Sequence, residues 1–166
     1  FSKEVIDAYI VVVGFQAEQV EQLLARRIPP AARVRTLLNP LFDRADNLVS
    51  CWVARVEMRE EFLLLNGDTL FDAGVLERLL VAPEHPITLA VSRKDRYDDD
   101  DMKVITEGSL IRDVGKDIEG AKANGESIGM MLFRKRGLVD MRNSLMELIR
   151  VEDNLKTFYL QALRNL

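Results

Sequence analysis

Short β-branched runs alternate with amphipathic stretches along the first half of the chain. Residues 8–13, Ala-Tyr-Ile-Val-Val-Val, stop at Gly14 and read as a strand buried on both faces. Ala17, Val20, Leu23 and Leu24 then share one face of a helix that must stop before Pro29-Pro30. Val34–Leu38 reads as a second strand, halted by Asn39-Pro40. Strand, helix and strand in this order form a crossover unit that favours parallel pairing. Asp46 or Asn47 can cap a helix over 48–56, and Phe62–Leu65 is a third central strand broken by Asn66-Gly67-Asp68. Asp72 can cap a helix over 73–81, followed by a fourth strand at 87–91.

The pattern then changes. Residues 102–106 and 110–114 flank Glu107-Gly108-Ser109 as a hairpin, and 128–133 is a further strand. Residues 138–149 and 154–166 read as helices. Together these elements predict a single three-layer α/β domain over 1–166, with a mixed, mostly parallel central sheet.

Composition narrows the function classes. The chain has 166 residues, 48% hydrophobic and 30% charged, enough for one domain with its own core and too apolar for disorder. A net charge of −4 argues against duplex DNA as partner. No apolar run approaches the roughly 18 residues of a membrane span, and Lys3, Glu4 and Asp7 are wrong for a signal peptide. Cys51 is the sole cysteine, consistent with a reducing compartment. A cytoplasmic protein is expected, with oligomerisation left open. The first strand begins within a few residues of Phe1, and the chain finishes on an apolar helix, so flanking sequence is expected to be missing at both ends.

Several residues are candidates for chemistry. Asp68 follows a buried strand directly, and open α/β sheets bind ligands at that end of their strands. It could share Mg²⁺ with phosphates, with Gly67 allowing a tight turn and close approach. Asn66 and Asp68 are equally ordinary turn formers. Lys116, after the hairpin, suits phosphate as a point charge, and Glu126 enters a strand between Gly125 and Gly129. The remaining polar clusters read as structural. Asp98-Asp99-Asp100-Asp101 is a solvated loop, His85 a surface turn residue, and Cys51 a buried small hydrophobe. Arg134-Lys135-Arg136 ends a strand in solvent, and Met130-Met131 belong to the core.

The order of motifs resembles the sugar-nucleotide-type nucleotidyltransferases, and within them the phosphocholine and aminoethylphosphonate cytidylyltransferases. The resemblance rests on Ile10-Val11-Val12-Val13-Gly14-Phe15 with Gln19-Val20, on Asn39-Pro40-Leu41-Phe42, and on Asp46-Asn47-Leu48-Val49-Ser50. It continues through Leu65-Asn66-Gly67-Asp68, Asp101-Met102-Lys103-Val104, Gly115-Lys116-Asp117-Ile118 and Gly125-Glu126-Ser127-Ile128-Gly129. It spans roughly residues 5–133.

That resemblance implies a Rossmann-like, GT-A-like fold and an Mg²⁺-dependent transfer. A nucleoside monophosphate, CMP from CTP, would pass to a phosphorylated small-molecule acceptor such as phosphocholine or an aminophosphonate, with release of pyrophosphate. Asp68 and Lys116 would be catalytic, with Asp68 and Glu126 at metal. Asn39, Asn47, Ser50, Asn66, Gly67 and Glu126 would line the substrates. The family's glycine-rich opening loop and its later metal-binding segment have no counterpart here, so these 166 residues alone are expected not to turn over. Two other readings stay open. One is a non-catalytic binding or regulatory module of the same fold. The other is a nucleotide-sugar glycosyltransferase, although Thr69-Leu70 after Asp68 lack the second aspartate usual there.

Overall fold

A computed structural model describes residues 6–164 and 166. The readings made on Phe1, Lys3, Glu4 and Val5, and on Asn165 in the last expected helix, lie outside the described residues. Contacts gather into two compact units, Phe1–Glu57 with Leu145–Tyr159 and Met58–Ser144 with Leu160–Leu166.

In the first unit, β1 (Tyr9–Val13), α1 (Ala17–Arg27) and β2 (Val34–Leu38) form the expected crossover. β1 and β2 pair in parallel from Tyr9↔Val34 to Val13↔Leu38. α1 ends at Arg27, and the N–H of the following Ile28 still donates to the Leu24 carbonyl, just ahead of the prolines. β1 is less enclosed than its composition predicts. Val13 alone is buried and Tyr9 is exposed, because β2 is the one strand paired with it among the described residues. α2 (Asn47–Ala54) has Asp46 at its N-cap position, but the Asp46 side chain makes no capping hydrogen bond; the helix buries Leu48, Val49 and Cys51. Burial pushes the Cys51 thiol up to about 12, so it behaves as a small hydrophobe rather than a nucleophile.

The expected helix over 154–166 does not form as one element. A 3-10 turn at Glu152–Lys156 is followed by non-helical backbone, and helix resumes only at α5 (Gln161–Arg164), which belongs to the second unit. The backbone from Leu155 to Tyr159 serves the start of α2 instead. Asp46 N–H donates to the Leu155 carbonyl (2.8 Å), Leu48 N–H to that of Thr157 (3.3 Å), and Tyr159 N–H to Asn47 Oδ1 (2.9 Å). Donors at a helix start need partners from outside the helix, and here a distant segment receives two of them at the expense of its own helicity.

The second unit holds β3 (Phe62–Leu65), α3 (Ala73–Leu80), β4 (Ile87–Ser92), β5 (Lys103–Glu107), β6 (Leu110–Gly115), β7 (Gly125–Phe133) and most of α4 (Arg136–Leu148). Asp72 caps α3 as predicted, accepting from the Gly74 N–H at 2.8 Å. β7 is longer than its apolar core implies, because Gly125, Glu126 and Ser127 extend it backwards. It pairs with β3 (Leu65↔Met130 to Phe62↔Phe133) and with β4 (Ser92↔Glu126 to Ile87↔Phe133), both antiparallel. β3 and β4 therefore take its two opposite edges. β5 joins at Lys103↔Glu126 and Val104↔Gly125, and β6 closes the hairpin on β5.

The α/β class is as expected, but the expected mixed, mostly parallel sheet is not what the described residues form: β1 and β2 pair in parallel by themselves, and the five-stranded sheet of β3–β7 is antiparallel throughout. β7 returns between β3 and β4, which separates two strands that run the same way. Met130, Leu132 and Leu79 are buried together, with Leu63, Val75, Leu80 and Ile128 packed on them. Phe62 and Phe133 stack at 4.6 Å. Arg134, expected in solvent, is 7% exposed, since its Nη2 donates to the Leu80 carbonyl at 2.8 Å. No helix among the described residues is long and apolar enough to cross a membrane.

Candidate functional site

β3 covers β7 from Phe133 to Met130, and β5 covers Glu126 and Gly125 on the same edge. The Asn66–Thr69 turn fills the gap between them. Asn66 N–H donates to the Gly129 carbonyl (2.9 Å) and Thr69 Oγ1 to that of Ile128 (3.1 Å). Ser127 N–H closes the gap by donating to the Met102 carbonyl (2.8 Å). Asp68 lies between two anchored residues, exposed, and makes no hydrogen bond or ion pair among the described residues. The glycine this turn depends on is Gly129 rather than Gly67. Gly67 has no positive φ and open space around it, whereas Gly129 has φ +71° and would set a Cβ 2.4 Å from Asn66 Nδ2.

The register also orders the other two candidates. Gly115, Lys103 and Glu126 sit abreast on β6, β5 and β7. At about 4.8 Å between strands, Gly115 and Glu126 are roughly 10 Å apart. Lys116 leaves β6 at this end, half-buried, with Nζ 3.5 Å from the exposed Asp100 carboxylate. Asp68, Lys116 and Glu126 are thus all placed where β3 and β6 finish and β5 and β7 begin.

Glu126 is already engaged. Lys94, just past β4, puts Nζ 3.0 Å from Glu126 Oε2 and 2.7 Å from Asp101 Oδ2. Hydrogen bonding to Asp101, then to Glu126, holds the Lys94 ammonium above its ordinary pKa. The bond from Lys94, then the Asp98 N–H at 2.6 Å, holds Asp101 below the usual carboxylate range. Asp101 is therefore not the free member of a solvated run that its sequence predicts; its side chain is 13% exposed. Lys103 accounts for the loop. It is 2% exposed, and its ammonium donates to the carbonyls of Asp98 (2.8 Å), Asp99 (3.3 Å) and Asp101 (3.5 Å). Lys94 also lines an open cleft of about 550 Å³ with Arg93, Tyr97, Thr106, Gly120 and Asn124.

A pH prediction follows from Asp101. Its folded pKa lies below the unfolded value of about 3.9, so its stabilisation is present above that value and is lost as pH falls through the folded one. Melting temperature is expected to drop in that acid window, and Asp101→Asn to flatten the drop. Melts of both proteins across the acid range check this, and identical profiles would remove Asp101 as the source.

Of the unit-1 candidates, Asn39 and Ser50 are hydrogen-bonded to each other, and Asn47 is engaged separately. Asn39 is 2% exposed, its Nδ2 donates to Ser50 Oγ (3.0 Å), and its Oδ1 accepts from the Leu41 N–H (2.9 Å). Asn47 receives the Tyr159 N–H. These side chains build the loop after β2 and the start of α2. The Trp52 ring has Arg55 stacked 3.8 Å from its centroid. His85 is exposed and Met130-Met131 are fully buried, both as expected.

Asp68 fits Mg²⁺ shared with phosphate oxygens, because Mg²⁺ commonly takes one or two carboxylates and keeps its other positions for phosphate and water. Glu126 fits poorly, with an ammonium 3.0 Å away. No group of three or more His, Cys, Asp or Glu among the described residues could hold a metal by itself.

No protein-family model matches the chain. Over 79 residues, 48% of the chain, it is 33% identical to a CMP-5'-(3-aminopropyl)phosphonate synthase of Streptomyces rubellomurinus, spanning 12% of that protein. Among solved structures it is similar to an inositol-1-phosphate CTP transferase from T. maritima (TM-score 0.75, 18% identity, 96% of this chain and 62% of that one). It is also similar to a CTP:phosphocholine cytidylyltransferase from Streptococcus pneumoniae (0.63, 12%, 97% and 65%) and to a UDP-glucose pyrophosphorylase (0.70, 14%, 96% and 69%). The chain therefore carries the fold of the nucleotidyltransferases that its motif series resembles.

Proposed function

We propose that this chain is part of a cytidylyltransferase that moves CMP from CTP to a small phosphorylated or phosphonate acceptor and releases pyrophosphate. The observation that carries the reading is Asp68, an uncommitted carboxylate on a turn pinned at both sides to β7. The 33% identity to a CMP-5'-(3-aminopropyl)phosphonate synthase across 48% of the chain favours cytidylyl transfer and an acceptor of this class.

In this reading an acceptor oxygen forms a bond to the α-phosphorus while the bond to the bridging oxygen breaks, and pyrophosphate leaves with that electron pair. The acceptor is already anionic at neutral pH, so no general base is needed, and positioning with charge stabilisation supplies most of the rate. Mg²⁺, held by Asp68, would supply positive charge beside the phosphates. Lys116 attracts and orients the acceptor's anionic group. Glu126, fixed by Lys94, faces the acceptor as a hydrogen-bond acceptor rather than a second metal ligand. The cleft beside Lys94 is available to the rest of the acceptor.

The test is pyrophosphate release by the full-length protein with Mg²⁺, using CTP, UTP, ATP or GTP against phosphocholine, inositol phosphate and an aminoalkylphosphonate. Release with CTP and one of these acceptors is expected. A protein that binds CTP but releases no pyrophosphate with any acceptor would favour the non-catalytic module, which the Glu126–Lys94 pair also accommodates.

A further inference from the structure

Lys116 is flanked by two carboxylates, Asp113 three residues before it and Asp117 immediately after. Left alone, they would oppose any anion approaching the lysine. Arg164, at the end of α5, spans both. Its Nε donates to Asp113 Oδ1 (2.8 Å) and its Nη2 to Asp113 Oδ2 (3.2 Å), while Nη1 donates to Asp117 Oδ1 (2.7 Å) and Oδ2 (2.8 Å). A planar guanidinium with several fixed donors makes such a double clamp; an ammonium does not.

The turn is built around it. Val114 and Ile118 are buried on either side. A Cβ at Gly115 would fall 2.4 Å from Asp117 Oδ1 and 3.0 Å from Arg164 Nη1, so glycine there leaves room for the clamp. Arg164 also cancels one of the two flanking negative charges. The bond from Arg164 holds Asp117 below the usual carboxylate range, so it stays ionised and clamped at neutral pH.

We propose that Arg164 is the positioning residue for Lys116, fixing the Asp113–Asp117 turn and offsetting its acidity so that the lysine presents its charge to the acceptor's anionic group. This rests on the role given to Lys116 above.

The test uses the full-length protein with Lys116→Met, Arg164→Lys, Arg164→Gln, Asp117→Asn and the Lys116→Met/Arg164→Lys double variant. Arg164→Lys keeps the charge and loses the fork. It is expected to raise KM for the acceptor about tenfold with a smaller change in kcat and in KM for CTP, and Arg164→Gln to raise it further. Asp117→Asn, which removes one arm, should shift KM in the same direction. Because Arg164 acts through Lys116, the double variant should be no worse than Lys116→Met alone. Amide exchange over residues 114–118 should quicken in the Arg164 variants while β3 and β7 stay protected. An unchanged KM, an additive loss in the double variant, or unchanged exchange would each overturn the proposal. A wild-type protein without transfer would overturn the proposed function instead, and the exchange measurement then decides the clamp by itself.

Discussion

Replacing Asp68 by Ala in the full-length protein is expected to lower kcat/KM for CMP transfer by about a hundredfold or more, the usual scale for removing one charge-stabilising group from a transfer site. Fold stability should hardly change. Asp68 is exposed and uncommitted, and substitutions at such positions stay within about 0.5 kcal/mol. Loss of activity together with loss of fold would therefore speak against the site rather than for it. The control is the melting temperature without nucleotide, set beside the rise that CTP and Mg²⁺ produce by binding the native state. In Asp68→Ala the Mg²⁺-dependent part of that rise should vanish while the baseline stays put. An Asp68→Ala protein that keeps most of its activity would take the carboxylate out of the mechanism.

Gly129→Ala is expected to damage both stability and transfer. At φ +71° a side chain costs about 1–2 kcal/mol. The new Cβ would also lie 2.4 Å from Asn66 Nδ2, 2.6 Å from its Cγ and 3.0 Å from its Cβ, too close for a small adjustment. Asn66 must swing away, taking with it the turn that holds Asp68. A loss of roughly 2–4 kcal/mol is expected, which lowers the melting temperature by about 5–10 °C in a protein of this size. Gly67→Ala is the paired control. It meets nothing within 4 Å and lacks a positive φ, so it should melt like wild type. Thermal unfolding followed by circular dichroism checks both, and equal melting of the two variants would contradict the tight contact at Gly129.

Local signals were legible in the chain, and long-range ones were not. β-branched runs marked β1 and β2, Asp72 marked the start of α3, and Glu107-Gly108-Ser109 marked the hairpin, because each is decided within a few neighbours. The place of Asp68, just past β3, is visible for the same reason, although β3 is half-buried rather than buried as its composition predicts. What escaped notice depends on partners far along the chain. Arg164 reaches back to Asp113 and Asp117, Lys94 meets Glu126 across β4 and β7, and residues 155–159 abandon a helix to serve α2. Strand direction fell into the same class, since the placement of β7 between β3 and β4 is settled by pairing rather than by composition. Glu126 stands out in the sequence between two glycines, but its ion pair does not, because nothing near it in sequence announces Lys94.

The buried ammonium of Lys103 divides the labour within the acidic run. It grips main-chain oxygens of Asp98, Asp99 and Asp101, atoms that any amino acid would provide. The side chains of Asp98 and Asp99 are thereby spectators to the loop's shape, whereas that of Asp100 reaches Lys116. Two of its four letters can therefore be exchanged without rebuilding the scaffold, while Asp101 and Lys103 have no such liberty.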